Sequence, residues 1–259
     1  MFPIIFETRY FTLNTLWVFF AISIFTATYY FIKISVKNGL KVKFINDHSF
    51  ALLVGILVGA RVFGVIQNYK AYFLNPGADN IIQLFRFWDG GLNGWGGIFG
   101  ALIVLYLICK RDEQSFLRWT DSLIPATIAG LAIYHLGTFF DGRNYGHETS
   151  LPWGVNFENI TVKYAVPIHP TQTYATLYSI AITILLIALL KKPEIRKDKR
   201  GVITFAGIFL YSFCRFLEEF LRGDDVIMLF NFRISQIAAL ASAIFAGIFL
   251  YIRYNQTSK

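Results

Sequence analysis

The chain of 259 residues is 55% hydrophobic and 15% charged, with 27 phenylalanines and a formal net charge of +8. Soluble domains carry about 25% charged residues, so this composition excludes an ordinary soluble fold and indicates an all-α polytopic membrane protein. Nucleic acid is excluded as the partner of the positive charge, because that charge sorts between alternate loops instead of gathering in one patch.

Helical crossing of hydrocarbon takes about 20 mostly apolar residues at about 1.5 Å each. Seven stretches qualify, near 12–32, 49–67, 91–109, 122–140, 174–190, 202–221 and 234–253. They predict a single integral membrane domain over 1–259, with outer loops at 68–90 and 141–173. With the spans so placed, one set of loops holds 15 Lys and Arg residues and the opposite set 7. The richer side faces the cytoplasm, which predicts an outside N-terminus and an inside C-terminus.

The first stretch is too long, and lacks the basic start, for a cleaved signal peptide, so it is read as a retained span. The second carries Arg61 in "VGARVFG". The third opens with "WDGGLNGWGGIFG", whose glycines serve either close helix packing or a phosphate at a helix N-terminus. The fourth carries His135 in "AIYHLGTFF" and runs into a polar knot, "DGRNYGHETSLPWG" at 141–154. "PIHPTQTY" leads into the fifth with His169, Gln172 and Tyr174. In the sixth, Tyr211, Arg215, Glu218, Glu219 and Arg222 fall on one face at 100° per residue. Arg215 and Glu219 either satisfy each other at i,i+4 or contribute to a site for an anion. Cys109 and Cys214 lie in apolar stretches and read as small buried hydrophobes. No HExxH, CxxC, GxSxG or GxxxxGK[ST] motif occurs, and neither a metal nor a cofactor is expected.

Ionisable residues at membrane depth are costly, and each is by default a functional hypothesis. Counted from the inner end, Arg61, His135 and Arg215 stand 12 or 13 residues along their spans. That is about 18–20 Å up, in the outer half of a core about 30 Å thick. Trp95, entering from the outer side, reaches a similar level. Cations at one level beneath the outer surface point to an anionic lipid headgroup, with acyl tails among the helices.

Several stretches, in order along the chain, resemble the prolipoprotein diacylglyceryl transferases of bacteria. They are "GARVFGVIQNY", "FRFWDGGLNGWGGIFGA", "DSLIPATIAGLAIYHLGTFFDGRNYGHETSLPWGV", "HPTQTYATL" and "YSFCRFLEEFLRGDD". The resemblance implies seven spans in the bacterial inner membrane and a site facing the outer leaflet. The implied reaction moves the diacylglyceryl group of phosphatidylglycerol to the cysteine thiol of a lipoprotein precursor peptide, releasing glycerol phosphate. It implies substrate-binding roles for Arg61, Trp95, Gly96, Gly97, Thr138, Asp141, Gly142, Gly146, His169, Gln172, Tyr174, Tyr211, Glu219 and Arg222. The chain departs from the family pattern at Trp95, at His135 and Arg143, where the family has Arg and Glu, at Thr138, where it has Asn, and at Ala175. These changes read as a rearrangement in which His135 is the thiol base while Arg143 and Arg215 hold the phosphate. The competing expectation is a catalytically altered relative that binds phospholipid. A transporter fits less well, since no internal repeat is visible.

Overall fold

In a computed structural model the described residues are 3–73, 80–157, 162–197 and 199–256. Parts of both predicted outer loops, 74–79 and 158–161, lie outside them, as does Lys259. A short hairpin, β1 (Ile4–Glu7) and β2 (Thr12–Asn14), leads into α1 (Thr15–Lys37). Then come α2 (Lys43–Asp47), α3 (Ser49–Gln67), α4 (Tyr69–Phe73), α5 (Asn80–Phe85) and α6 (Gly94–Arg111). The rest is α7 (Phe116–Asp141), α8 (Thr171–Leu190), α9 (Pro193–Lys197), α10 (Val202–Glu218), β3 (Met228–Leu229), β4 (Phe232–Arg233) and α11 (Ile234–Gln256).

Among the described residues six helices are long and apolar enough to cross a membrane: α1, α3, α6, α7, α8 and α11. The protein is thus an all-α multi-pass membrane protein. The remaining stretch, expected over 202–221, forms a helix of 17 residues that stops at Glu218. Its end is tightened by i→i+3 bonds, Phe220 N–H to the Leu217 carbonyl and Leu221 N–H to the Glu218 carbonyl. Such bonds close a helix terminus that has no further turn to use.

The chain divides into two compact units, Met1–Gly39 with Leu117–Lys259, and Leu40–Phe116. In the first, α1, α7, α8 and α10 share a core of Ile34, Ile128, Ile182, Leu186, Leu190 and Ile203. At one end of this core the buried Asp121 of α7 caps α10. Its carboxylate accepts from Gly201 N–H at 2.7 Å, Thr204 N–H at 2.8 Å and the Thr204 hydroxyl at 2.7 Å. Gly201 sits at φ +90°, a conformation glycine adopts without steric penalty. Asp121→Ala removes the acceptor of three donors at once, and is expected to lower stability by about 2–3 kcal/mol. Thermal unfolding in detergent checks this; an unchanged midpoint would mean that α10 is held without the cap.

In the second unit α3 and α6 lie in close contact along glycines. A Cβ on Gly59 would run into the Gly96 carbonyl and the Gly100 backbone, and one on Gly96 would meet the Gly59 carbonyl and Phe63 Cβ. Without a hydrophobic driving force between helices in lipid, such close backbone approach supplies the packing contact.

Candidate active site

The polar seam expected on the sixth stretch becomes a buried ionic network in the first unit. Arg215 Nη1 donates to Glu218 Oε1 at 2.5 Å and Arg215 Nη2 pairs with Glu219 Oε1 at 2.7 Å. Glu219, whose side chain is 0% exposed, also takes Arg233 Nε on Oε2 at 2.6 Å and Arg222 Nη1 on Oε1 at 3.4 Å. Arg222 continues to Asp224 through Nε at 2.8 Å and to Asn144 Oδ1 through Nη2 at 2.8 Å. Arg233 Nη2 reaches Asp224 Oδ1 at 2.7 Å. Three guanidiniums and three carboxylates thus interlock, which is how buried charge survives away from water.

The network extends to α7. Tyr178 on α8 donates its hydroxyl to Glu218 Oε2 at 2.8 Å. Its ring meets that of Tyr211 edge-on, centroids 5.6 Å apart. Tyr211, one turn before Arg215 on α10, has its hydroxyl 3.1 Å from His135 Nε2. His135 is buried, so this contact orients the imidazole beside the arginine-bearing helix. Thr138, fully buried, gives its hydroxyl to the His135 carbonyl at 2.8 Å and so is engaged with the helix backbone.

The knot at 141–154 is stitched between two other segments. Gly146 N–H donates to the His169 carbonyl at 3.1 Å, and His147 N–H to the Leu221 carbonyl at 2.8 Å. A Cβ on Gly146 would stand 2.5 Å from both His169 Cβ and the His169 carbonyl oxygen, which is why this position takes glycine. Gly142 turns the chain at φ +76° after α7. Gln172 is buried and its amide donates to the Arg143 carbonyl at 2.7 Å. Trp153 Nε1 donates to the Tyr174 hydroxyl at 2.8 Å, which lies 3.2 Å from His169 Nδ1. Arg143 itself projects outward, its side chain 68% exposed, with Nε 2.6 Å from Asp141 Oδ2. Both line a cavity of about 290 Å³ with Asn14, Trp17, Phe20 and Tyr134. That cavity offers aromatic walls and one ion pair at its rim.

Arg61 and Trp95 belong to the other unit. Arg61 Nε donates to the Leu84 carbonyl at 2.9 Å and Nη1 to the Gly90 carbonyl at 2.7 Å, binding α3 to the 84–90 segment. It borders a cavity of about 760 Å³ whose other described lining includes Val54, Val58, Val62, Ile66 and Phe85. Trp95 is exposed on the first turn of α6. Gly96 is given over to helix contact and its N–H is capped by Asn93 Oδ1 at 3.1 Å, while Gly97 faces Ile56. The packing role read for these glycines is the one the structure displays.

The structure therefore gathers His135, Tyr211, Arg215, Glu219 and Arg222 into one connected chain, with Asp141 and Arg143 beside the smaller cavity. Sequence reasoning passed over Tyr178, Asn144, Asp224 and Arg233 as members of this assembly. In the sequence Arg233 reads only as a basic residue of a loop. The signal that could have found it is the acidic pair of "RGDD" beyond the seam, which leaves surplus carboxylate in need of a cation.

A family model described as prolipoprotein diacylglyceryl transferase matches residues 3–253. The chain is 35% identical over 200 residues to a phosphatidylglycerol–prolipoprotein diacylglyceryl transferase of Finegoldia magna, covering 77% of this chain and 74% of that one. Proteins of the same description from Clostridioides difficile and Polynucleobacter necessarius are 32% and 31% identical, over 83% and 85% of this chain and 79% and 81% of theirs.

Proposed function

The chain belongs to the prolipoprotein diacylglyceryl transferase family, and on that premise we propose that it transfers diacylglyceryl from phosphatidylglycerol to the cysteine of a lipoprotein precursor. The cysteine sulfur bonds to the glyceryl carbon that bears the phosphate ester. The carbon–oxygen bond to phosphate breaks, glycerol phosphate leaves with the electron pair, and the thiol proton passes to a base. His135 is that base. The reading is carried by one observation: a buried imidazole oriented at 3.1 Å by Tyr211, which stands at i,i+4 to Arg215 on α10. That arrangement pairs a proton acceptor with a cation suited to a phosphate oxygen.

Two of the five guanidinium N–H groups of Arg215 are taken up by Glu218 and Glu219, which fixes the plane of the others. Arg143, exposed at the rim of its cavity, supplies a second donor set to the same phosphate. Arg61, beside its apolar cavity, takes part in lipid binding in its own unit, with Trp95 near the surface. His169, Gln172, Tyr174, Asp141, Gly142 and Gly146 shape the mouth through which the precursor peptide arrives. Glu219 and Arg222 hold Arg215 in place.

The chain works as one integral domain of the bacterial cytoplasmic membrane, crossing seven times with its N-terminus outside and its site toward the outer leaflet. The 15-to-7 distribution of basic residues supports that orientation. The 17 residues of α10 meet the lower limit of about 17 for a crossing.

The test is to incubate purified protein with phosphatidylglycerol and a precursor peptide containing the acceptor cysteine, and to weigh the peptide by mass spectrometry. A diacylglyceryl thioether is expected. No product from a folded preparation overturns the enzyme reading, and lipid binding without product assigns the chain a lipid-binding role.

A further inference from the structure

Between α10 and α11 the chain makes a hairpin whose apolar side chains stand exposed, while Arg233 at its base is buried against Glu219 and Asp224. β3 and β4 pair antiparallel, Met228 opposite Arg233 and Leu229 opposite Phe232. Ile227 is 75% exposed, Phe230 is 87% exposed, and Met228, Leu229 and Phe232 are exposed as well. A two-stranded hairpin is marginal in water even with good side-chain cover, and an uncovered apolar surface of this kind marks an interaction site.

The turn adds a second, independent sign. Phe230 and Asn231 both have positive φ, 50° and 64°, the geometry of a tight hairpin turn that favours Asn, Asp and Gly. Asn231 suits it. Phe230, bulky and left-handed, does not, and its ring gains no packing in return. A residue that breaks a local rule at the tip of an exposed hairpin is one kept for something outside the fold.

What lies outside is fixed by the neighbours. The base of the hairpin is polar: Arg222 and Arg233 converge on Asp224, and Lys163 pairs with Asp225, whose hydrogen bond raises the Lys163 pKa. The residue after Arg233 begins α11, a candidate crossing over Ile234–Asn255. At about 3.3 Å per residue the tip lies within about 15 Å of the start of that helix, so it falls at the bilayer boundary. The free strand edges carry unpaired backbone groups that hydrocarbon does not satisfy, whereas the interfacial zone does, and aromatic residues favour that zone.

We propose that the hairpin Val226–Phe232 is an anchor for a lipid surface, seated in the headgroup–acyl boundary beside the N-terminal end of α11 with Phe230 at its tip. The proposal rests on the membrane character of the chain and not on the transfer reaction. It fixes the polar 222–225 turn at headgroup level, next to the Glu219 network.

The test compares Phe230→Cys with Asp225→Cys in the full chain reconstituted in phosphatidylglycerol–phosphatidylcholine vesicles, with labelling of the parent subtracted for Cys109 and Cys214. A membrane-impermeant maleimide is expected to label Phe230→Cys at least tenfold more slowly than Asp225→Cys, and the two equally after denaturation. Equal rates in vesicles overturn the proposal. Protection that arises only when a precursor peptide is added also overturns it, in favour of peptide docking. Phe230→Trp gives an independent reading: its added emission is expected to be quenched by lipids brominated high on the acyl chain. Quenching by aqueous acrylamide alone would place the tip in water.

Discussion

Glu219→Ala is expected to destabilise the protein by about 3–5 kcal/mol, the loss seen when one partner of a buried ion pair is removed. Glu219 is the common acceptor of Arg215, Arg222 and Arg233. Without it, three guanidiniums face one another with only Glu218 and Asp224 to balance them, in surroundings that screen little. The melting midpoint in detergent should fall on the order of 10 °C. Glu219→Gln keeps the shape and one acceptor oxygen, and should lie between the two. If Glu219→Ala melts with the parent, the network is peripheral to the fold and its charges find other partners.

His135→Ala is expected to lower the rate of diacylglyceryl transfer by about 10²–10⁴-fold, the usual contribution of a positioned general base. The loss should fall on kcat, with KM for phosphatidylglycerol little changed, because the imidazole acts on the thiol and not on lipid binding. Tyr211→Phe removes the hydroxyl that orients the ring and should cost a smaller factor, about tenfold. An unchanged rate in His135→Ala would take the base role from this residue.

The helices were legible because long apolar runs announce themselves. The stretch expected at 49–67 is α3 to the residue, and that expected at 234–253 is α11 with one more turn. Where the helical period misled was at 219–222: Arg222 continues the stripe on a helical wheel, yet it reaches Glu219 from a turn beyond the helix. The glycines of 94–100 were ambiguous in sequence since close packing and anion binding ask for the same residue. The close approach of Gly59 to Gly96 is a packing contact that the sequence alone does not display. Contacts between residues far apart in the chain left no local mark. Asp121 caps a helix 80 positions later, and no periodicity joins those two places. The substitutions at 135 and 143 were visible as departures, but that one is buried against a phenol and the other stands at a cavity rim follows only from packing.

The ionic cluster also bears on how the chain is made. Within the α10 segment Arg215 stands against Glu218 and Glu219, leaving one uncompensated negative charge. Glu218 and Glu219 close the helix, where a charge costs less than the about 2.5–3.5 kcal/mol of a mid-bilayer position. At 17 residues, however, α10 is already at the lower limit of length for a crossing, so this segment entering by itself is a poor candidate for retention. Arg233, which completes the cluster, stands at the threshold of α11, and α11 packs along α10. Nascent α10 should therefore wait at the insertion machinery until α11 emerges, the two partitioning into lipid together as a helical hairpin. A chain truncated after Asp225 should be cleared by proteolysis, while one that extends through α11 accumulates.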